Sequence, residues 1–198
     1  MSTALIRAMV WSGIEPAPEL VERFDVFERW LRTEAAAAGG IGPAEPGRLE
    51  LRHLADSVVF EGASSSDPTI PVLDVGTGVG LPGIPLALVR PARTVTLLDR
   101  SGRRVALARR AIRVLGLSNA EVVHGDLADV TLSGQVVVSR AAIPPDRWRD
   151  LLDRHGSPHE LLVGGSHVRR PRVAGFDTVD IPPEILDRPL WILRMAQP

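Results

Sequence analysis

The sequence predicts an α/β protein with a mostly parallel, Rossmann-like sheet, helices on both faces and an antiparallel strand at one end. Three observations predict this architecture. Short β-branched apolar runs alternate with helical patterns through most of the chain. A glycine-rich turn follows the first run, and the closing pair of runs reads as a hairpin. Alternation of strand and helix favours parallel strands with right-handed crossovers.

The N-terminal part predicts a helical extension. Apolar residues form one stripe of an amphipathic helix over 18–38, with charged residues opposite. The glycine-rich run 39–43 stops that helix, and a second helix is expected over 48–60, before a loop over 61–68. We therefore expect a single domain over 1–198, in which 1–66 is the extension and 70–198 the Rossmann-like core.

The core follows in a regular order. The first strand starts near Ile70 and leads through the glycine turn into a helix. The next helix is expected to begin after Ser101, a good N-cap, and to end at Gly116. The remaining strands are predicted at 94–98, 120–123, 135–138, 159–163, 176–181 and 190–195.

The glycine turn, from Gly76 to Gly80, has two interpretations. A dinucleotide fingerprint needs the spacing G-x-G-x-x-G, whereas this turn reads G-x-G-x-G. Asp74 precedes it, and a carboxylate there would repel a pyrophosphate but could accept hydrogen bonds from an ammonium group or ordered water. S-adenosylmethionine, which carries an amine and a sulfonium, suits this turn better. Asp99, at the tip of the second strand, is placed to hold ribose hydroxyls, which would fit NAD as well.

Composition narrows the chemistry. The 198 residues carry a net charge of −1, so no global basic field indicates a nucleic-acid partner. There is no cysteine, which excludes disulfides, thiolate metal sites and a cysteine nucleophile. The histidines lack metal-ligand spacing, so no metal is expected. The apolar run 70–89 contains Asp74, four glycines and three prolines, which argues against a membrane span. A cytoplasmic protein is expected.

Four ordered motifs carry a family resemblance. They are the tail of the glycine turn at 81–85 (LPGIP) and the segments 97–105, 52–57 and 139–141. Together they resemble the small-subunit (16S) ribosomal RNA methyltransferase G family, also called glucose-inhibited division protein B. The resemblance implies a class I methyltransferase fold and transfer of a methyl group from S-adenosylmethionine to guanine N7 of 16S ribosomal RNA. The partner it implies is 16S ribosomal RNA or the small ribosomal subunit.

The resemblance also implies roles on the cofactor side. Asp74, Gly76, Gly78 and Leu81 would surround the methionine and ribose, and Asp99 would grip the ribose hydroxyls. The adenine would lie at the pair Leu127 and Ala128, where the family usually has an acidic second residue. Either Asp126 or Asp129 would have to substitute, or backbone alone would hold the adenine amine; we favour Asp126.

On the substrate side, Arg140 matches an arginine that the family uses at the cofactor and substrate site. By helical spacing His53, Asp56 and Ser57 share one side and form a candidate polar rim over the methyl group. Guanine N7 offers a lone pair with no proton to remove, so no general base is required. The densest basic segment supplies possible RNA phosphate contacts, although a solvated helix face is its default interpretation: Arg100, Arg103, Arg104, Arg109, Arg110 and Arg113.

Two alternative functions remain open from the sequence. A methyltransferase of the same fold acting on a small molecule is suggested by the near-neutral charge and by Val163-Gly164-Gly165, where the family tends to have lysine-glycine. A non-catalytic S-adenosylmethionine-binding protein is suggested by Ala128 at the adenine position.

Overall fold

A computed structural model describes residues 3–42, 49–164 and 168–196 and shows one seven-stranded sheet. Its spatial order is β3-β2-β1-β4-β5-β7-β6. The strands are β1 (Val72–Val75), β2 (Val95–Asp99), β3 (Ala120–His124), β4 (Val136–Ser139), β5 (Glu160–Gly164), β6 (Asp177–Ile181) and β7 (Leu190–Ala196). The five strands from β3 to β5 are parallel, and β7 runs antiparallel to both of its neighbours. The predicted hairpin is confirmed. β6 lies at the edge of the sheet, and the antiparallel strand β7 lies between β5 and β6.

Seven α-helices accompany the sheet in the described residues: α1 (Thr3–Trp11), α2 (Pro18–Trp30), α3 (Asp56–Ala63), α4 (Gly83–Val89), α5 (Gly102–Leu115), α6 (Trp148–His155) and α7 (Pro183–Leu186). The helix predicted over 18–38 is confirmed, since α2 continues into a π-helical turn over Leu31–Ala35. The second predicted helix is α3 with a π-helical turn before it, Glu50–Ala55. Its predicted first residue, Arg48, lies outside the described residues.

Side chains alternate along each strand, so each strand directs apolar residues to both faces of the sheet. Helices cover both of these faces. Val72 and Val136 pack with the buried residues of α1 to α5 on one face. Leu73 and Val137 point the other way and pack with Trp148 of α6. The two apolar layers bury β1 and β4 completely, as expected for central strands of a parallel sheet.

Local signals set several boundaries. Gly116 adopts a left-handed conformation (φ 58°) and ends α5 as predicted. Ser101 occupies the N-cap position, but its side chain makes no capping hydrogen bond. Its backbone N–H donates instead to Asp99 Oδ1 over 2.8 Å, so the predicted cap is correct in position and different in chemistry. Within the described residues, none of the helices is long and apolar enough to cross a bilayer.

Candidate active site

The site lies where the strand order reverses, at the carboxyl ends of β1 and β4. In open α/β sheets such a switch point leaves a crevice above the sheet. Two cavities occupy it, one of about 500 Å³ and one of about 280 Å³. They share four lining residues, Gly76, Arg104, Ala141 and Ala142. An elongated ligand could therefore extend from one cavity into the other.

The glycine turn lines the larger cavity through Gly76, Thr77, Gly78 and Val79, and Gly76 also lines the smaller one. Gly76, Gly78 and Gly80 have φ values of 76°, 64° and 100°, a region that side-chain-bearing residues rarely adopt. At Gly76 a second reason adds to the first, because a Cβ there would lie 2.2 Å from the Cβ of Ala142. Leu81 is buried and lines the larger cavity. A cis peptide joins it to Pro82, after which α4 begins.

Asp74 lies beneath the turn and lines neither cavity. Its Oδ2 accepts hydrogen bonds from Thr77 Oγ1 (2.6 Å) and from the backbone N–H of Gly83 (2.8 Å). Its Oδ1 is buried, with no hydrogen-bond partner among the described residues. Burial raises the pKa of Asp74 to about 6, and these two hydrogen bonds oppose the rise. The sequence predicts that this carboxylate faces the cofactor. In the structure it accepts hydrogen bonds from the turn and from the first residue of α4.

Asp99 joins the turn to the neighbouring strand and lines the smaller cavity. Its Oδ2 accepts the backbone N–H of Gly78 over 2.9 Å, and its Oδ1 accepts that of Ser101. Arg104 Nη1 stands 3.9 Å from Oδ2. A carboxylate offers about four acceptor positions, so two remain for the hydroxyls of a ribose. The predicted role of Asp99 is thus compatible with its position.

The residues predicted to hold the adenine differ in whether they line the smaller cavity. Asp126 and Leu127 both line the smaller cavity. Ala128 is exposed and does not line it; its N–H donates to Asp126 Oδ1 over 3.1 Å at the start of a short 3-10 helix. Asp129 is not part of the lining either. Ala128 therefore contributes nothing to the cavity lining, and its contact with the adenine stays a prediction.

The larger cavity brings the substrate-side candidates together, since His53, Asp56 and Arg140 all line it. Arg140 Nη1 donates to the carbonyl of His53 and to Ser57 Oγ, each over 3.2 Å. Ser57 Oγ also donates to the His53 carbonyl. Burial lowers the pKa of Arg140, while the carboxylates of Asp56 and Asp74 oppose that shift. A guanidinium stays protonated in proteins, so Arg140 is a partly buried cation at the end of β4.

Sequence reasoning missed Arg188 altogether. It follows α7, lines the larger cavity, and donates from Nη2 to Asp56 Oδ2. The two residues stand 132 positions apart, so no local pattern connects them. Gly164 was noted only as a departure from the family, yet it lines the same cavity and leaves room for Arg140. Its neighbour Gly165 lies outside the described residues.

The basic segment of α5 does not act as a unit. Arg104 reaches both cavities. Arg110 forms an ion pair with Glu34, and Arg109 donates to the carbonyl of Val122 over 3.2 Å. Arg109 and Arg110 therefore make intramolecular contacts on the helix face, whereas Arg100 and Arg104 belong to the cavity lining. The signal that could have singled out Arg104 is its place in the first turn of α5, just after Asp99.

This fold and this site define a class I, S-adenosylmethionine-dependent methyltransferase. A solved structure described as a SAM dependent methyltransferase from Aquifex aeolicus has the same fold, with a TM-score of 0.55 and 20% identity over 77% of this chain and 94% of that chain. More specifically, the family described as "rRNA small subunit methyltransferase G" matches residues 21–163. The chain belongs to that family, and the resemblance seen in its motifs is confirmed.

Two relatives show how far the similarity extends. The "Ribosomal RNA small subunit methyltransferase G" of Paenarthrobacter aurescens is 38% identical over 193 residues, which cover 88% of each chain. The protein of the same name from Acidothermus cellulolyticus is 39% identical over 125 residues, which cover 61% of this chain and 54% of that protein. The match therefore spans nearly all of one relative and about half of the other.

Proposed function

We propose that this protein transfers a methyl group from S-adenosylmethionine to N7 of a guanine in 16S ribosomal RNA. Its partner would be that RNA, free or within the small ribosomal subunit, and its location the cytoplasm. The observation that carries the proposal is the pair of joined cavities above β1 and β4, with Asp99 in one and an arginine-lined wall in the other. The names of the family and of its relatives support the acceptor.

The smaller cavity suits the adenosine part of the donor. Asp99 would accept hydrogen bonds from the ribose hydroxyls, and Asp126 with Leu127 would hold the adenine. The backbone of Gly76 and Gly78, which carries no Cβ, allows the close approach that a methionine chain needs. When bound, the cofactor supplies an electrophilic methyl group on a sulfonium. The residues present fit this group, since a carboxylate and a bare backbone face the joined cavities.

The larger cavity suits an acceptor base. Its volume of about 500 Å³ lies within the usual range of ligand pockets. Three arginines line it, Arg104, Arg140 and Arg188, and cations of this kind favour a polyanionic substrate. Because N7 carries a free lone pair, the protein has to orient the base and exclude water rather than remove a proton. The reaction therefore requires no general base from the protein.

The test uses ribosomal RNA from a strain that lacks its native enzyme. The purified protein is incubated with labelled S-adenosylmethionine and either deproteinised 16S RNA or small subunits, and 7-methylguanine is measured by mass spectrometry of RNA fragments. We expect label in one guanine of one of these substrates. Heat-denatured protein is the blank. The absence of 7-methylguanine from both substrates, with cofactor binding intact by calorimetry, would refute the proposal.

A further inference from the structure

Arg188 is one of the residues that line the larger cavity. This residue comes from the segment between α7 and β7, and Asp56 from the first turn of α3 holds one nitrogen of its guanidinium, Nη2. The remaining nitrogens, Nε and Nη1, are buried and make no hydrogen bond within the described parts of the chain. Buried donors without partners cost stability. The side chain as a whole is partly exposed and lines the cavity, so a ligand oxygen that reaches its guanidinium there would be favoured.

The other two cations of the cavity have different surroundings. Arg140 already donates to the His53 carbonyl and to Ser57 Oγ. Arg104 is 59% exposed in its side chain and stands beside Asp99, on the cofactor side. Arg188 is 17% exposed, adjoins Leu190 in the lining, and retains unused donors. It is therefore the cation best prepared to contact the acceptor.

The acceptor chemistry specifies what such a donor can do. Guanine presents two neighbouring acceptors on one edge, N7 and O6, while adenine presents N7 beside an amine that donates. Methyl transfer needs the N7 lone pair free. An arginine that bonded both atoms, its usual mode toward guanine, would block the reaction. A guanidinium fixed in orientation by Asp56 can instead donate to O6 alone.

We propose that Arg188, oriented by Asp56, determines the specificity for guanine by donating a hydrogen bond to O6 of the acceptor base. The contact selects guanine over adenine and leaves N7 facing the methyl group. Arg188 is the residue that touches the substrate, and Asp56 is a positioning residue. This inference rests on the proposed function and names the contact by which the same site recognises its base.

The experiment combines a protein variant with an altered base. The methylated guanine is replaced by 2-aminopurine, which keeps N7 and lacks O6, in ligated 16S RNA. We expect wild-type kcat/KM to fall about ten- to a hundredfold on this substrate, as for the loss of one hydrogen bond from a charged donor. Arg188→Gln should lose a similar factor on guanine and little more on 2-aminopurine. The ratio of kcat/KM on guanine to kcat/KM on 2-aminopurine for Arg188→Gln measures the intrinsic difference in N7 reactivity between the two bases.

Control variants separate the possible causes. Arg113→Gln, on α5 and outside both cavities, should keep the full wild-type preference for guanine. Asp56→Asn should reduce that preference partially while leaving cofactor affinity unchanged. Arg188→Lys retains a cation near Asp56 and keeps the test available if Arg188→Gln unfolds; it should lose part of the preference.

Three outcomes would overturn the inference. An undiminished preference for guanine in Arg188→Gln would show that Arg188 does not contact O6. A cofactor dissociation constant that rises by the same factor as kcat/KM falls would place Arg188 at the donor instead. Failure of the wild-type protein to methylate any guanine would overturn the proposed function and this inference together, which distinguishes that failure from the other two.

Discussion

The backbone N–H of Gly78 donates a 2.9 Å hydrogen bond to Oδ2 of Asp99, and this bond ties the glycine turn to the end of β2. Parallel pairing of β1 with β2 places Val75 opposite Leu98, so the turn and the carboxylate emerge side by side from the sheet. Asp99 therefore holds the turn in its left-handed conformation. We propose that its remaining acceptor positions bind the ribose.

Replacement of Asp99 by Asn should weaken S-adenosylmethionine binding about 10- to 100-fold, as expected for loss of hydrogen bonds to a charged group. Both carboxylate oxygens accept backbone N–H groups, from Gly78 and Ser101. An amide in either orientation would point its own N–H group at one of these donors. Calorimetry measures the affinity, and Asp129→Asn, outside the cavity lining, is the control. Equal affinities for wild type and Asp99→Asn would contradict this role.

Two glycines of the turn allow a matched comparison of strain and collision. Gly76→Ala and Gly78→Ala both place a Cβ at positive φ, which costs roughly 1 kcal/mol or more. Only Gly76→Ala adds a collision, with the Cβ of Ala142 at 2.2 Å, whereas no atom lies within 4 Å of a Cβ at position 78. We expect Gly76→Ala to lose clearly more stability and cofactor affinity, measured by urea unfolding and calorimetry.

A second change tests the cause of that difference. Ala142→Gly removes the atom with which the new Cβ of Gly76→Ala would collide. The double variant should therefore recover toward the level of Gly78→Ala. Equal stabilities for the two single variants, or no recovery in the double variant, would show that close approach does not explain the glycine at position 76.

Asp74 should make the protein less stable as the pH rises toward neutrality. Burial raises its pKa to about 6, from an ordinary value of 3.8. Between these values the folded protein keeps a proton that the unfolded chain releases, so this residue's contribution to the free energy of unfolding falls with rising pH and levels off above about pH 6. Asp74→Asn should remove this dependence and match or exceed wild-type stability near pH 7.5, by roughly 3 kcal/mol at most.

The measurement is urea unfolding of both proteins at about pH 4, 6 and 7.5, with the difference between them as the readout. Calorimetry of Asp74→Asn with S-adenosylmethionine tests separately whether the negative charge contributes to cofactor binding. If the carboxylate attracts the ammonium of the cofactor, the variant binds it more weakly despite its stability. If the variant were clearly less stable than wild type near pH 7.5, the expectation that the buried charge of Asp74 destabilises the protein would be wrong.

Glu160 should show the opposite pH dependence. Burial raises its pKa, but hydrogen bonds from Ser64, Ser65 and Ser66 outweigh that effect and hold the pKa below its ordinary 4.5. Its stabilising contribution is therefore complete above about pH 4.5 and declines as the pH falls further. Glu160→Gln should lose roughly 1–3 kcal/mol near pH 7 and less near pH 3. Thermal or urea unfolding checks this, with exposed Glu121→Gln as the control.

Much of the donor half of the site could be predicted from the sequence. Asp99, Gly76 and Gly78 belong to strand ends and a turn whose conformations depend on adjacent residues, and apolar runs located those strands to within one or two residues. The exposed position of Ala128 in a 3-10 turn was not expected from the sequence, and its contact with the adenine stays a prediction. Asp74 had the expected strand-end position, but only packing showed that its side chain lies under the turn.

The proposed acceptor half of the site was decided by tertiary structure. Asp56, Arg140 and Arg188 come from α3, the end of β4 and the segment before β7, and the sheet order together with the helix layer brings them to one wall. The sequence by itself determined the α/β class, the donor-binding turn and the family. It could not determine the pairing of Arg188 with Asp56, because periodicity and φ preferences act over a few residues, whereas that contact joins residues 132 positions apart.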